Sequence, residues 1–348
     1  MDFIRVHRDS ISIIDQTLLP WKVHWLKLSS LRDFAKAIGE MKVRGAPLIG
    51  IVGAFGLAFA AKRSSASSKE ELAQELNDAA ALLSSTRPTG KNLSWALNRV
   101  LEVVNSAKSL ESARSAAIAK AKEILREDEL TNRTIGKLGA CLIRRGDGIL
   151  THCNTGSLAT GGFGTALGII RAAWEEGKHI TVYVTETRPL LQGARLTCFE
   201  LKQLSIPTKL IVDSAAGHVL SSGLVSKVFV GADRILLSGH IFNKIGTYPI
   251  AVLARENGIP FYVAAPMSTI DPKTPLDKVS LEYRNQSEVL LFQGKPVAPK
   301  GIEALNPAFD ITPPKFVSGI ITESGIAYPP FRDSIRKLLA RSKKLASA

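Results

Sequence analysis

The stretch GILTHCNTGSLATGGFGTALGII, residues 148–170, decides the fold of the second half of this chain. It opens with an apolar run and closes with apolar residues at helical spacing, a pattern that predicts a strand leading into a helix. Between the two stand a histidine, a cysteine, an asparagine and a cluster of small residues, which a hydrophobic core does not require. We therefore expect the turn between this strand and its helix to carry function.

The rest of the second half repeats this alternation of strand and helix. Short β-rich runs follow in the order ITVYVTE, TKLIVD, KVFVGAD, PFYVAAP and VSGIITE, with helix-like segments between most of them. Such alternation is typical of a parallel sheet that is covered by helices on both faces.

The first half differs, because residues 29–145 carry helical patterns and few strand signals. SSLRDFAKAIGEM has serines ahead of an amphipathic run, as a capped helix does, and APLIGIVGAFGLAFAAK is almost wholly apolar, as a buried helix is. ISIIDQTLL and VHWLKL predict a small N-terminal sheet. The sequence thus predicts an α/β protein, with a mainly helical domain over residues 1–135 and a domain with a mostly parallel sheet over residues 136–348.

Composition argues against several classes of protein. The formal net charge is +14, yet the basic residues are scattered and no nucleic-acid-binding motif occurs, so we expect no nucleic-acid partner. The positive charge instead favours an anionic substrate. No apolar run approaches the about 20 residues of a membrane span, and the N-terminus MDFIRVHRDS lacks a signal-sequence core. We expect no membrane partner and no secretion.

The three cysteines include no CxxC pair, so they predict neither a disulfide framework nor a zinc site and fit a reducing cytoplasm. Cys141 and Cys198 stand in apolar, helix-like contexts and are predicted to be buried packing residues. Cys153, among polar neighbours, is the exception. Dinucleotide, P-loop, HExxH and GxSxG motifs are absent, so we expect no cofactor and no metal.

Polar residues follow four of the predicted strands, at ends that meet along one rim of a parallel sheet. Cys153 and Asn154 follow the first strand, Glu186 the second, Asp213 the third and Asp233 the fourth. A single acidic residue there can also be a helix N-cap, so that interpretation stays open for Glu186 and Asp213. A thiol, a carboxylate, several arginines and Gly-rich turns suit phosphate binding combined with proton transfer on a small polar substrate.

Ordered sequence blocks link the chain to a known family and run almost from end to end. They include IDQTLLP (14–20), VRGAPLIG (43–50), TRPT (86–89), THCNTGSLATGGFGTALG (151–168), VTETRPLLQGARLT (184–197), VGADRI (230–235), NKIGTY (243–248) and NPAFDITP (306–313). In these blocks the chain resembles methylthioribose-1-phosphate isomerase, a family in the wider group that includes the alpha, beta and delta regulatory subunits of translation factor eIF2B. The resemblance implies a helical N-terminal domain, a Rossmann-like C-terminal domain and a homodimer.

The resemblance also implies roles for residues in the matching blocks. The implied catalytic pair is Cys153 of THCN and Asp233 of GADRI. The implied substrate-binding residues come from four other blocks: Arg44, Gly45, Ala46, Arg87, Gln192, Asn243 and Lys244. Both members of the catalytic pair stand at strand ends, where the pattern already places the site.

The implied reaction is an aldose–ketose isomerisation, which converts 5-methylthioribose 1-phosphate to 5-methylthioribulose 1-phosphate in methionine salvage. It needs an acid at the ring oxygen and a base or a hydride path near C2. Asp233 donates a proton only if its pKa is raised, which burial at an apolar strand end would do, and Cys153 accepts one only if its pKa is lowered. Whether Cys153 is a base, a nucleophile or a positioning group stays open, and His152 is expected to orient the loop.

Two blocks depart from the family pattern. RPTAVNL reads RPTGKNL here, which introduces Gly90 and Lys91, and GDVANKIGT reads GHIFNKIGT, which introduces His240 and Phe242. An isomerase of 5-deoxyribose 1-phosphate or ribose 1,5-bisphosphate is therefore an alternative, with Lys91 and His240 as candidates for a second phosphate. A non-catalytic regulatory subunit like those of eIF2B is a further alternative, but it predicts loss of the thiol and the aspartate, and both are present.

Overall fold

The computed structural model of this 348-residue chain describes residues 3–87 and 91–346. The chain divides into two compact units: the helical unit is Met1–Arg133 with Gly156–Gly164, and the sheet unit is Thr134–Thr155 with Thr165–Ala348. Unlike the single boundary predicted after residue 135, this division places the loop Gly156–Gly164 with the helices. Hydrogen bonds account for this, since the Gly161 N–H donates to Asp128 Oδ2 at 2.6 Å.

The helical unit opens with a small antiparallel sheet of order β1-β2-β3, as the N-terminal strand signals predicted. Its strands are β1 (Ile4–Val6), β2 (Ile11–Ile14) and β3 (Trp25–Leu28). The helices that follow are α1 (Leu31–Gly39), α2 (Ala46–Arg63), α3 (Lys69–Ser85), α4 (Lys91–Ser106) and α5 (Leu110–Ala140).

Local sequence explains where these helices begin and what they bury. The Ser30 hydroxyl accepts from the Asp33 N–H at 3.2 Å, and the Asp33 carboxylate accepts from the Ser30 N–H at 2.8 Å, a reciprocal capping box that confirms the predicted cap of α1. Helix α2 is long and apolar enough to suit a membrane span, but 72% of it is buried inside the protein. It is therefore a core helix, with Phe55 and Phe59 packed 5.9 Å apart between ring centroids.

The sheet unit alternates strands and helices. Its strands are β4 (Gly148–Thr151), β5 (Thr181–Thr185), β6 (Thr208–Ile211), β7 (Lys227–Val230), β8 (Arg234–Leu236), β9 (Ile241–Lys244), β10 (Phe261–Ala264), β11 (Ile270–Asp271), β12 (Leu291–Phe292), β13 (Lys295–Pro296), β14 (Phe309–Thr312), β15 (Gly319–Thr322) and β16 (Gly325–Ala327). Its helices are α6 (Ala166–Glu175), α7 (Cys198–Gln203), α8 (Ala216–Ser221), α9 (Thr247–Glu256), α10 (Ser287–Leu290) and α11 (Phe331–Ala346).

The central sheet of this unit has the strand order β16-β15-β10-β7-β4-β5-β6. Neighbouring strands pair in parallel except at the edge strand β16, which is antiparallel to β15. The six β-rich runs of the sequence form β4, β5, β6, β7, β10 and β15, so the predicted α/β class with a mostly parallel sheet is confirmed. The chain begins at β4, moves outward to β6 and then returns past β4 to β7, which is the Rossmann order.

A smaller sheet, which the sequence did not predict, follows β7. Its order is β11-β8-β9-β14, and β8 and β9 form an antiparallel hairpin. In β14, Phe309 stands opposite Lys244 and Asp310 opposite Asn243. This pairing brings the NKIGTY and NPAFDITP blocks side by side, although about sixty residues separate them in the sequence.

Candidate active site

The strand order creates a switch point between β4 and β7, because the chain leaves β4 toward one edge of the sheet and returns to β7 on the other side. The two strands pair in parallel, with Leu150 opposite Val228, so the loops that follow them leave the same end of the sheet. Open α/β sheets bind ligands outside the carboxyl ends of the strands at such a point. Cys153 stands two residues beyond β4, and Asp233 stands three residues beyond β7.

The two loops that carry these residues are in contact. Gly231, at the start of the loop after β7, lies so close to Thr155 that a Cβ at position 231 would be 2.7 Å from the Thr155 Cγ2. Thr155 follows Cys153 by two positions, and Asp233 follows Gly231 by two. The fold therefore brings the loops of the predicted catalytic pair together at the switch point.

Cys153 is half-buried and has an unusual backbone conformation. Its φ is +63°, in the left-handed region that residues other than glycine rarely adopt. Its N–H donates to Thr187 Oγ1 at 2.9 Å, and its carbonyl accepts from the Thr197 hydroxyl at 2.6 Å. Strained residues of this kind persist where their surroundings hold them, and they cluster at functional sites.

His152 is buried beneath this loop. One ring nitrogen, Nδ1, lies 2.7 Å from Thr185 Oγ1, and the other, Nε2, lies 2.8 Å from the Ile245 carbonyl. Because a carbonyl only accepts, we assign the proton to Nε2, and the Thr185 hydroxyl then donates to Nδ1. Burial lowers the pKa of the imidazole, so the ring is neutral and links β4 to β5 and to the turn after β9. This geometry supports the orienting role that the sequence analysis favoured.

Asp233 is anchored by its backbone, since its N–H donates to the Phe242 carbonyl at 2.9 Å. Asp233 is exposed, so the end of β7 does not bury it. The reason is that β7 ends at Val230, and the chain turns through Gly231 and Ala232 before it reaches the aspartate.

Asn243 and Lys244 end strand β9, beside the Phe242 carbonyl to which Asp233 is bonded. Asn243 is buried, and its Nδ2 donates to Thr247 Oγ1 at 2.9 Å. Lys244 is half-buried, and its Nζ donates to the Ala308 carbonyl at 2.8 Å. The structure thus places two of the predicted substrate-binding residues next to Asp233.

Gln192 is also buried, at 4% exposure, and it precedes a π-helical turn at Gly193–Thr197. Its Oε1 has no hydrogen-bond partner among the residues that the structure describes. A buried carbonyl oxygen without a partner costs free energy. Thr197, at the end of the same turn, bonds to Cys153, so Gln192 belongs to the segment that holds the thiol loop.

The remaining predicted residues lie in the helical unit. Gly45 is the N-cap of α2 with φ +92°, and a Cβ there would be 2.5 Å from the Ala159 carbonyl oxygen, so this position requires glycine. Ala46 is the first residue of α2, and Arg44 is half-buried just before it. Arg87 follows α3, and its N–H donates to the Ser84 carbonyl at 3.2 Å. Pro88, Thr89 and Gly90 of the same block lie outside the described residues.

Several residues with structural roles at the site were missed or left open by the sequence. Asp310 Oδ2 accepts from the Gly246 N–H at 2.8 Å and the Tyr248 N–H at 3.1 Å, and burial raises the pKa of its carboxyl to about 6. Asp213 accepts from the N–H groups of Thr187 and Arg188 at 2.8 and 2.7 Å, so it fixes the loop after β5. Asp310 lies in the family block NPAFDITP, and this was the feature of the sequence that could have pointed to it.

The two other cysteines behave differently from each other. Cys141 is exposed, so its predicted burial is wrong, because α5 ends at Ala140 and the thiol follows in a turn. Cys198 begins α7, and burial raises the pKa of its thiol to about 11, which leaves it protonated at neutral pH. Within residues 3–87 and 91–346, no group of three or more His, Cys, Asp or Glu side chains could hold a metal ion.

The departures from the family pattern differ in their places: Phe242 directly precedes Asn243 in β9, whereas His240 lies at the opposite end of that strand. His240 is in the turn that joins β8 to β9, and its Nδ1 lies 2.9 Å from Ser238 Oγ. Phe242 is buried at 4% exposure and pairs with Ile311. Lys91 is exposed at the start of α4.

Comparison with known proteins identifies relatives along nearly the whole chain. Residues 42–329 match the initiation factor 2 subunit family. The methylthioribose-1-phosphate isomerase of Pelotomaculum thermopropionicum is 48% identical over 94% of this chain and 91% of its own length. That of Acetivibrio thermocellus is 49% identical over 94% of this chain and 96% of its own length.

Solved structures agree with these matches. The 5-methylthioribose 1-phosphate isomerase of Pyrococcus horikoshii has a TM-score of 0.91 and 41% identity, over 97% of this chain and 96% of that one. The translation initiation factor eIF-2B subunit delta of A. fulgidus has a TM-score of 0.89 and 42% identity, over 98% and 99%. The resemblance read from the sequence blocks is confirmed: the chain belongs to the initiation factor 2 subunit family, together with the methylthioribose-1-phosphate isomerases.

Proposed function

We propose that this chain is an aldose–ketose isomerase, an intramolecular oxidoreductase that converts 5-methylthioribose 1-phosphate to 5-methylthioribulose 1-phosphate in methionine salvage. One observation carries the proposal. The thiol of Cys153 and the carboxylate of Asp233 stand on touching loops at the switch point of a Rossmann sheet, in a chain 48% identical to an isomerase of this substrate.

The chemistry defines what the two residues must do. As the bond between C1 and the ring oxygen breaks, the ring oxygen gains a proton, C2 becomes a carbonyl and its hydrogen moves to C1. An acid at the ring oxygen and a base at C2 or its hydroxyl complete the proton balance. We assign Asp233 and Cys153 to these two tasks, on either a hydride or an enediolate path. A bound sugar over the exposed Asp233 would remove it from water and raise its pKa.

The substrate-binding residues have features that suit an anionic sugar. Gly45, the N-cap of α2, has no side chain to cap the helix, and we propose that backbone N–H groups at this helix start bind the phosphate. Arg44 offers a guanidinium, which binds phosphate in a bidentate manner. The buried Gln192 Oε1 would gain a donor from a sugar hydroxyl. Ala46, Arg87, Asn243 and Lys244 complete the proposed set.

An alternative substrate, ribose 1,5-bisphosphate, would need cationic groups near its second phosphate. His240 is a poor candidate, because it stands at the turn end of the β8–β9 hairpin, and Asn243 and Lys244 stand at the other end. Burial also lowers the pKa of His240, so its ring is neutral near pH 7. These features argue against His240 as the group that binds a second phosphate.

A regulatory subunit is the second candidate, since the chain is 42% identical to a protein named eIF-2B subunit delta. A coupled assay of the purified chain with 5-methylthioribose 1-phosphate, 5-deoxyribose 1-phosphate and ribose 1,5-bisphosphate separates the candidates. We expect turnover of the methylthio sugar with the highest kcat/KM. Turnover of the bisphosphate alone would overturn the salvage role, and turnover of none would support the regulatory role.

We further propose a homodimer in the cytoplasm. In the edge strand β6 Leu210 is 54% exposed, and Val212, just after the strand, is 53% exposed. Exposed apolar edge strands invite pairing with another chain. The described cysteines are all free, which fits a reducing compartment.

A further inference from the structure

Cys153 cannot hold its backbone conformation without help from its surroundings. A left-handed φ of +63° costs a residue with a Cβ on the order of 1–2 kcal/mol. The conformation also determines the direction in which the thiol leaves the loop. Groups that fix the peptide units on both sides of Cys153 therefore control the position of its sulfur.

Two buried threonine hydroxyls make these contacts, one on each side of Cys153. Thr187 Oγ1 accepts from the Cys153 N–H at 2.9 Å, and the Thr187 hydroxyl donates to the Thr185 carbonyl at 3.2 Å. The Thr197 hydroxyl donates to the Cys153 carbonyl at 2.6 Å, and its oxygen accepts from Asn154 Nδ2 at 3.2 Å. Each hydroxyl thus acts as donor and acceptor at once, which an isosteric valine cannot do.

The threonines are themselves firmly held. Thr187 is 0% exposed and has a φ of +65°, and Asp213 accepts from its N–H at 2.8 Å. Thr197 is 1% exposed and ends the π-helical turn. Asn154 also donates to Glu200 Oε1 at 2.8 Å, and Glu200 is 97% buried. The contacts to Cys153 therefore come from a buried polar network rather than from mobile side chains.

We infer that Thr187 and Thr197 are positioning residues for Cys153, whose hydroxyls clamp its two flanking peptide units and so aim the thiol at the switch point. This inference rests on the proposed function, because it assumes that the thiol takes part in the reaction. It goes beyond that proposal by naming the groups that make a strained cysteine usable. Loss of either hydroxyl should affect the chemical step more than substrate binding.

Valine variants of both threonines test this inference, with serine variants as matched partners that keep the hydroxyl. We expect Thr187→Val and Thr197→Val to lower kcat about 10- to 100-fold, as a sub-ångström to 1 Å displacement of a reacting group does, with KM within about threefold of the parent. Thr187→Ser and Thr197→Ser should stay within about threefold in kcat. If the serine variants lost as much as the valine variants, packing rather than the hydroxyl would matter, and the inference would be wrong.

Thr312→Val is a control for the substitution itself. Thr312 is 0% exposed in β14, and its hydroxyl has no hydrogen-bond partner within the described part of the chain. The same change of chemistry in an equally buried place should leave kcat unchanged. A loss of kcat in this control equal to that at Thr187 or Thr197 would contradict a specific role for those two hydroxyls.

A measurement without turnover separates this inference from the proposed function. Alkylation by iodoacetamide at Cys153, followed by mass spectrometry relative to the exposed Cys141 in the same sample, reports the state of the thiol loop. We expect the valine variants to raise the ratio several-fold, because the released loop exposes the half-buried thiol. An unchanged ratio with unchanged kcat would overturn the clamp. A fully active Cys153→Ser would instead refute the catalytic thiol, while the alkylation ratio would still test the clamp.

A valine variant that does not fold leaves the test intact. Thr187→Ala and Thr197→Ala remove the same hydroxyls without placing a methyl group against the Cys153 N–H or carbonyl, and they carry the same expectations. Retention of parental kcat and alkylation in folded alanine variants would refute the inference.

Discussion

Cys153 and Asp233 differ in the environments that the protein gives them. The thiol is half-buried on a strained loop, whereas Asp233 is exposed, and its backbone N–H donates to the Phe242 carbonyl. The protein therefore determines the position of the thiol before substrate arrives. If the sugar binds over Asp233 as we propose, it would desolvate the carboxylate and couple its acidity to substrate binding.

Substitution of each residue tests its proposed part in proton transfer. Cys153→Ser and Asp233→Asn should each lower kcat by about 10²-fold or more, because general acid–base groups contribute that much, while the thermal midpoint stays near that of the parent. The coupled assay and circular dichroism measure the two quantities. Cys141→Ser is the matched control, since that thiol is exposed in a turn after α5. Near-parental activity in either main variant would remove that residue from the mechanism.

Asp310 makes stability depend on pH in a defined direction. Burial raises the pKa of its carboxyl from 3.8 to about 6, so the folded chain binds this proton more tightly than the unfolded chain. The free energy of unfolding should therefore fall as pH rises through this window, by at most about 3 kcal/mol for a shift of about two units. Asp310→Asn removes the titration and should flatten this part of the profile.

Urea unfolding at pH 4, 5, 6 and 7 measures the effect. As pH rises from 4 to 7, the unfolding free energy of the parent should fall relative to that of Asp310→Asn. Parallel profiles for the two proteins would show that the buried carboxyl does not titrate there.

At the scale of elements, the turn before α9 connects three parts of the site. Gly246 has φ +103°, and a Cβ there would lie 2.9 Å from His152 Cε1. The preceding carbonyl, of Ile245, accepts from His152, and the Gly246 N–H donates to Asp310. A side chain at position 246 would therefore push the histidine that precedes Cys153.

Gly246→Ala should lower the free energy of unfolding by about 2–4 kcal/mol, since it adds a clash with a buried ring to the strain of a left-handed residue. Gly258→Ala is the matched control, because its φ is +66° and nothing lies within 4 Å of an added Cβ. We expect the control to lose about 1 kcal/mol and to keep its kcat. Chemical unfolding and the coupled assay compare the two variants. Equal losses in both would show that contact with His152 is unimportant.

The sequence predicted those elements whose own residues have the composition or spacing typical of a strand or a helix. Runs such as TVYVT of β5 are buried on both faces, so their composition alone indicates a parallel strand. The smaller sheet escaped prediction because β8 has three residues and β11 has two, and their pairing depends on distant partners. Boundaries also depended on packing, which is why the loop Gly156–Gly164 falls with the helical unit.

The positions of Cys153 and Asp233 at one end of the sheet could be predicted from the sequence, because parallel strands place the residues that follow them along one rim. Thr187 and Thr197 could not, because their hydroxyls reach Cys153 across 34 and 44 positions of sequence, and no local pattern records such a contact. The exposure of Asp233 could not be predicted for the same reason, since the exposure of a loop depends on what packs over it.

At the scale of the whole molecule, charge bears on how the proposed enzyme meets its substrate. The formal net charge of +14 attracts a sugar phosphate over distances that salt shortens. This long-range attraction would add to the encounter rate and would not replace the contacts that we propose for Arg44 and Lys244. The same positive charge makes two copies of the chain repel each other. A homodimer therefore requires that burial of apolar surface outweigh this repulsion.

The edge strand β6 is the place where we expect a second copy to bind. Leu210→Asp should dissociate the homodimer. At a two-fold contact the new carboxylate would lie near the same carboxylate of the second copy, and the interface would remove both from water. Light scattering after size exclusion should give twice the chain mass of 37.5 kDa for the parent and the single mass for the variant. Leu82→Asp, at a leucine of α3 that is 48% exposed, should leave the dimer intact. A parent that elutes as a monomer would refute the homodimer, and a dimeric Leu210→Asp would move the interface away from β6.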